Sequence, residues 1–220
     1  MKTIVSTAEA VAAIGDGARV MIGGFMGCGS PHLVIEALVA TGVRDLTVIS
    51  NDAGLPDFGV GRLLRTKAIR TLIATHVGLN PEVATQMATG ELELQLMPQG
   101  TFVEAIRAGG AGLGGVLTRT GLGTLVAEGK QIVSVDGQDF LLERPLRAEV
   151  ALITGHTVDT NGNVWYKGTT RNFNNVMATA ADFVIVEADH VVEIGTIPPE
   201  DVVTPGVLID VIVDGERGER

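Results

Sequence analysis

The sequence is poor in cysteine, with Cys28 alone among 220 residues. A disulfide framework and a cysteine-based zinc cluster are therefore excluded, and the expected compartment is a reducing cytoplasm. Basic residues are also scarce. Lys and Arg total 16 against 26 Asp and Glu, a formal net charge of −10. Binding to nucleic acid is not expected, because it rests on basic charge facing phosphate. No apolar run approaches the ~18 residues of a membrane-spanning helix. Ser6, Thr7 and Glu9 interrupt the apolar stretch that a signal peptide would need. The four histidines, His32, His76, His156 and His190, lack metal-ligand spacing, so no metal site is expected.

Glycine, by contrast, is abundant. There are 29 glycines in 220 residues, about 13%, against an average near 7%. A collagen-like period is absent. With 45% hydrophobic and 19% charged residues, the chain reads as globular. Its length fits one domain, expected over residues 1–213, with a polar C-terminal tail over 214–220. Excess glycine in such a chain signals tight turns, or backbone that approaches a ligand.

Strands and helices alternate along the chain. Ser6 and Glu9 have capping-box spacing before a short apolar helix that Gly15 ends. Arg19–Ile22 reads as a buried strand. Ser30-Pro31 reads as the start of a second helix, with the serine hydroxyl as N-cap. Leu46–Ser50 and Ile69–Thr75 are further strands, and Asn80-Pro81 opens another helix. Glu91–Met97 alternates apolar and polar residues, as a strand near a sheet edge does. Thr101 and Glu104 are placed to cap a helix running through Arg107. Gln131–Val135 and Phe140–Leu142 flank Asp136-Gly137, a hairpin signal. Val150–Ile153, Phe183–Val186 and Val207–Val213 are later apolar strands. Together these predict an α/β fold, a mostly parallel sheet covered by helices on both faces.

Two glycine clusters compete for the chemistry. The first, Gly23-Gly24-Phe25-Met26-Gly27-Cys28-Gly29, lies between a strand and a helix start. Helix amides and the helix dipole favour an anion there. It is neither a P-loop nor a Rossmann fingerprint. A tight strand–helix connection without a ligand would read the same way. The second cluster, Gly109–Gly115, formally satisfies G-x-G-x-x-G at Gly110, Gly112 and Gly115. A helix precedes it rather than a strand, which argues against dinucleotide binding. An irregular loop of about fifteen residues, mobile or facing substrate, is expected instead.

Asp16-Gly17, the apolar trio Val20-Met21-Ile22, Gly23-Gly24-Phe25, Gly29 and Pro31 form a spaced pattern. It resembles the signature of the alpha subunits of family I, 3-oxoacid-type CoA-transferases. The resemblance continues through Ser50-Asn51-Asp52-Ala53-Gly54, Met97-Pro98-Gln99-Gly100-Thr101, Leu142-Glu143-Arg144-Pro145-Leu146, Arg171-Asn172-Phe173-Asn174 and Val203-Thr204-Pro205-Gly206. Gly24-Phe25-Met26-Gly27 is similar to the acetate/butyrate–acetoacetate branch. Cys28 is similar to the succinate and oxoadipate enzymes, although His32 stands where those have glutamate.

The resemblance implies the CoA-transferase alpha-subunit fold and transfer of CoA from an acyl-CoA to a free carboxylate. Coenzyme A is then a cosubstrate, with no permanently bound cofactor. The family places its nucleophilic glutamate on a beta subunit, and no glutamate here matches that motif. No catalytic nucleophile is therefore expected in this chain, and the implied assembly is an α2β2 heterotetramer. Gly23, Gly24, Phe25, Met26, Gly27, Cys28 and Gly29 carry over as the CoA-binding segment. Asn51 and Gln99 are placed near the reacting carboxylates as supporting hydrogen-bond donors. The competing reading is a non-catalytic module that binds acyl-CoA or a carboxylate.

Overall fold

The computed structural model describes residues 1–215. In chain order the elements are β1 (Thr3–Val5), α1 (Thr7–Val11), β2 (Arg19–Ile22), α2 (His32–Ala40), β3 (Leu46–Ser50), α3 (Gly61–Arg65), β4 (Ile69–Ala74), α4 (Pro81–Ala88) and β5 (Glu93–Leu96). There follow α5 (Gln99–Gly110), β6 (Val116–Thr118), β7 (Ile132–Val135), β8 (Gln138–Glu143), β9 (Ala148–Asp159), β10 (Val164–Trp165), α6 (Asn174–Met177), β11 (Ala181–Val192) and β12 (Val211–Asp214).

The main sheet is nine-stranded, in the order β1-β12-β11-β9-β2-β3-β4-β5, with β10 paired to β9. Every pairing along that order is parallel, and β10 alone runs antiparallel. Successive strand residues feed opposite cores. Val20, Ile22, Val48 and Leu152 pack with side chains of α1, α2, α3 and α4. Met21, Ile49, Ala151 and Ile153 pack with Phe102, Ala105 and Ile106 of α5 and Val176 and Met177 of α6. Both faces are thus covered, which is why these strands read as unbroken apolar runs. The antiparallel hairpin β7–β8 turns at Asp136 and Gly137, both left-handed (φ 50° and 74°). With β6 it forms a separate three-stranded sheet, a strand the sequence did not announce.

Several local expectations hold. Ser6 and Glu9 form the reciprocal capping box of α1, and Asn80 caps α4 by accepting from the Glu82 amide at 3.1 Å. β5 is an edge strand. Others change. β9 and β11 are each twelve residues, far longer than their apolar centres, because they pair with one another beyond the rest of the sheet. The stretch read as one strand from Val207 begins as a 3-10 turn at Gly206–Leu208, and pairing starts only at Val211. Asp214 closes β12; residues 216–220 of the expected tail lie outside the described residues. Helix α5 starts at Gln99, so Thr101 lies inside it, buried with an unpartnered hydroxyl, and caps nothing. The same helix runs on through Gly110. The second glycine cluster is therefore helix first, with Gly109 against the Leu146 carbonyl and Gly110 against Thr179. It is neither an irregular loop from its start nor a dinucleotide turn.

Ser30 does not cap α2 either. A distant carboxylate does. The Val34 amide donates to Glu187 Oε2 at 2.9 Å, and the amides of Leu33 and His32 are also directed at that carboxyl. Glu187 is buried on β11. Burial pushes its carboxyl up to about 7, the three amides pull the other way, and nearby Asp189 adds to the rise. Asp189 itself pairs with His156 Nδ1 at 2.8 Å.

Raising a carboxyl's pKa on folding makes stability fall with pH. Glu187 contributes fully below about 4.5, where folded and unfolded chains both hold the proton, and the contribution is lost as pH rises through about 7. The loss is about 3 kcal/mol. Glu187→Gln removes this titration. Melting temperature followed from pH 5 to 8 should fall less steeply in the variant than in the parent. Parallel curves would show that Glu187 keeps its ordinary titration.

Candidate functional site

Strand order reverses beside β2. From there β3, β4 and β5 extend one way, while β9, β11 and β12 extend the other. In open parallel sheets, ligands bind outside the carboxyl ends of the strands at such a switch point. β2 and β9 part company just past Ile22 and Leu152, where the Gly23 amide makes a last ladder bond to the Leu152 carbonyl at 2.9 Å. The first glycine cluster begins there.

The cluster is a tight hairpin. Phe25 and Cys28 exchange backbone hydrogen bonds of 3.0 and 2.9 Å. Met26 and Gly27 form its tip, both left-handed (φ 50° and 83°). Met26 is a strained choice there, since L-residues with a side chain seldom adopt that region. Its amide is held at 2.8 Å by Asp52 Oδ2, whose carboxylate also accepts from the Gly54 amide at 2.8 Å and from Asn51 Nδ2 at 3.0 Å. A second small hairpin, with Leu55 and Phe58 paired, lies alongside.

The structure brings Asn51 and Gln99 together. Gln99 Nε2 donates to Asn51 Oδ1 at 2.8 Å, and Thr75 Oγ1 donates to the same oxygen at 3.0 Å. Asn51 is buried, and Gln99 is exposed at the start of α5. Both were expected as donors toward a reacting carboxylate. One donor of each is instead used inside the network. The second hydrogen on the amide nitrogen of exposed Gln99 is what the site offers outward. Two open grooves flank this point. One lies between the start of α5 and β6, lined by Gly100, Thr101, Glu104 and Thr118. The other runs along Met97, Lys130, Leu142 and Arg144. Glu143, which also lines it, is buried and paired with Lys130 at 2.6 Å.

The glycines of the hairpin answer to protein atoms. A Cβ on Gly23 would meet Asn174 Oδ1 at 1.8 Å, on Gly24 Ser30 Oγ at 2.0 Å, and on Gly27 the Phe58 ring at 2.0 Å. The cavity beneath them is about 10 Å³, room for no more than a water. A gap between bare backbone and a bulky ligand is therefore not what these glycines provide. Nor are the amides of α2 open to an anion, since Glu187 occupies them. What faces outward from the hairpin is Phe25, Met26 and Cys28. Asp52, Asn172 and Asn174 hold the site from segments that carried the family resemblance but had no role assigned to them, and Glu187 was not singled out from the sequence at all. The Asn51-Asp52 turn signal was visible, but the partners of the other three lie more than 140 residues away. Among the described residues, no group of three or more His, Cys, Asp or Glu is placed to hold a metal.

Gly27→Ala combines a left-handed backbone with a collision against Phe58. It should cost about 2–4 kcal/mol of stability. Adding Phe58→Ala should restore part of that loss, as seen in the midpoint of urea unfolding. Strict additivity of the two changes would disprove the contact.

A family model described as Coenzyme A transferase matches residues 4–215. The Acetate CoA-transferase subunit alpha of Escherichia coli (strain K12) is 50% identical over 220 residues, covering 100% of both chains. The acetoacetyl-CoA:acetate/butyrate CoA transferase alpha subunit of Clostridium acetobutylicum is 52% identical over 198 residues, 90% of this chain and 91% of that one. An acyl-CoA transferase from E. coli O157:H7, solved as a thioester complex with CoA, superposes with a TM-score of 0.88 at 22% identity. That match covers 98% of this chain and 47% of the other, and it shows a shared fold. On the family match and these identities, the chain belongs to the coenzyme A transferase family.

Proposed function

We propose that the chain is the alpha subunit of an enzyme that moves CoA between a short-chain acyl-CoA or acetoacetyl-CoA and a free carboxylic acid of the acetate, butyrate or acetoacetate class. The observation that carries this reading is sequence identity of 50% over the whole chain to one alpha subunit and of 52% over 90% of it to another. Asp52 is the carboxylate at the centre of the site, and it is buried and committed to three N–H groups.

A glutamate supplied by a beta subunit would attack the thioester carbonyl, releasing the CoA thiolate and forming a mixed anhydride. The thiolate then attacks the glutamyl carbonyl and releases the first acid, leaving a glutamyl–CoA thioester. An acceptor carboxylate reverses the sequence. Covalent catalysis of this kind divides one difficult exchange into easier steps.

This chain's part is binding and orientation. The loop Gly23–Gly29 offers Phe25, Met26 and Cys28 outward, side chains suited to the methylene and methyl groups of the uncharged pantetheine arm of CoA rather than to its phosphates. Gln99, braced by Asn51, presents its remaining amide hydrogen to charge that develops on a reacting carboxylate. We further propose an α2β2 assembly in the cytoplasm, with one functional domain extending to β12. No helix among the described residues is long and apolar enough to cross a membrane.

The chain purified by itself should transfer no CoA from acetoacetyl-CoA to acetate, and adding the beta subunit should restore transfer. The fall of acetoacetyl-CoA enolate absorbance reads both. Activity of the isolated chain, or an inactive reconstituted complex, would refute this division of labour.

A further inference from the structure

The hairpin at Gly23–Gly29 is held on two sides. Asp52 holds its tip. Its stem is held by a segment that the proposed reaction does not use, the stretch that enters α6. Asn172 Oδ1 accepts from the Gly24 amide at 3.2 Å, and Asn172 Nδ2 donates to the Cys28 carbonyl at 2.9 Å. One side-chain amide thus bridges the two strands of the hairpin. Its own orientation is set by the Thr169 carbonyl (3.0 Å) and the Phe173 amide (2.6 Å). Two residues on, Asn174 is fully buried. Its Nδ2 donates to the carbonyls of Gly29 (2.9 Å) and Thr170 (2.8 Å), and its Oδ1 accepts from the Thr154 amide (3.1 Å). Asn174 therefore fills the gap left where β2 and β9 separate, and fixes the exit of the loop.

We propose that Asn172 is a positioning residue for CoA recognition: by bridging Gly24 and Cys28 it fixes the hairpin whose outward side chains meet the acyl-CoA. This rests on reading the loop as the CoA-binding segment. Amides suit the task because each supplies an acceptor and a donor at fixed separation. An aspartate at 172 would keep the acceptor for Gly24 but turn a carboxylate toward the Cys28 carbonyl. Asn172 is half-buried whereas Asn174 is fully enclosed, so Asn172 is the position to vary without emptying the core.

Cys28 gives a readout that does not depend on activity. It is the sole cysteine of the chain and is exposed in the loop. In the full chain, alkylation of Cys28 by N-ethylmaleimide, followed by mass spectrometry of its peptide, should accelerate several-fold in both Asn172→Ala and Asn172→Asp. In the enzyme assembled with the beta subunit, the KM for acetoacetyl-CoA should rise about tenfold, the equivalent of roughly one hydrogen bond, and more than the KM for acetate. A residue of purely structural importance would lower the melting temperature and the yield of active enzyme. It would leave the Cys28 rate and the KM of the folded fraction as they were, and that result overturns the proposal. The Asp variant, nearly isosteric with Asn, guards against a folding failure in the Ala variant. Faster alkylation with an unchanged acetoacetyl-CoA KM would keep Asn172 as the residue that positions the loop and would overturn the assignment of the loop to CoA.

Discussion

Three N–H groups converge on the buried carboxylate of Asp52, and the carboxyl end of the sheet takes its shape from that convergence. The Met26 amide comes from the loop after β2, the Gly54 amide from the turn after β3, and the Asn51 side chain from the strand end itself. A buried carboxyl group is tolerable only when its oxygens are hydrogen-bonded. The three donors arrive from two loops, so neither loop can move without leaving a buried oxygen short of a partner. Through Asn51 the same constraint reaches Thr75 after β4 and Gln99 at the head of α5. Four consecutive strand ends are thereby tied into one polar network.

A second carboxylate, Glu187, performs a similar service at the start of α2. It comes from β11, on the far side of the switch point, and accepts the helix amides that a serine was placed to take. Local sequence predicted a self-contained helix start. The fold substituted a contact 153 residues away. Its effect is to join the β9–β11 half of the sheet to the half that carries the loop. The Asn172–Asn174 segment makes the same connection from above, so the hairpin is gripped by both halves of the fold.

What was legible in the sequence follows from this. Strand positions, the alternation with helices and the hairpin at Asp136-Gly137 were readable because they depend on neighbours in the chain. Parallel strands buried on both faces advertise themselves as apolar runs, and Val20-Met21-Ile22 is such a run. The lengths of β9 and β11 were not readable, since their outer halves carry Thr157, Asp159, Asp189 and His190 and are extended only because they pair. The first glycine cluster was recognisable as special. The reason was not, because the atoms that exclude a Cβ at Gly23, Gly24 and Gly27 belong to Asn174, Ser30 and Phe58. Asn51 and Gln99 were legible as polar side chains near strand ends, and the structure joins them in one hydrogen bond. Asn172 and Asn174 stood in a segment that carried the family resemblance, but their hold on a loop more than 140 residues away could not be read without the third dimension.

The division of the hairpin into inward glycines and outward Phe25, Met26 and Cys28 bears on how such a protein changes over generations. Its backbone path answers to interior neighbours, so a glycine there can be replaced only in concert with a residue elsewhere in the chain. The outward side chains carry no such obligation. The outward surface can therefore change at three positions while the scaffold that presents it stays the same.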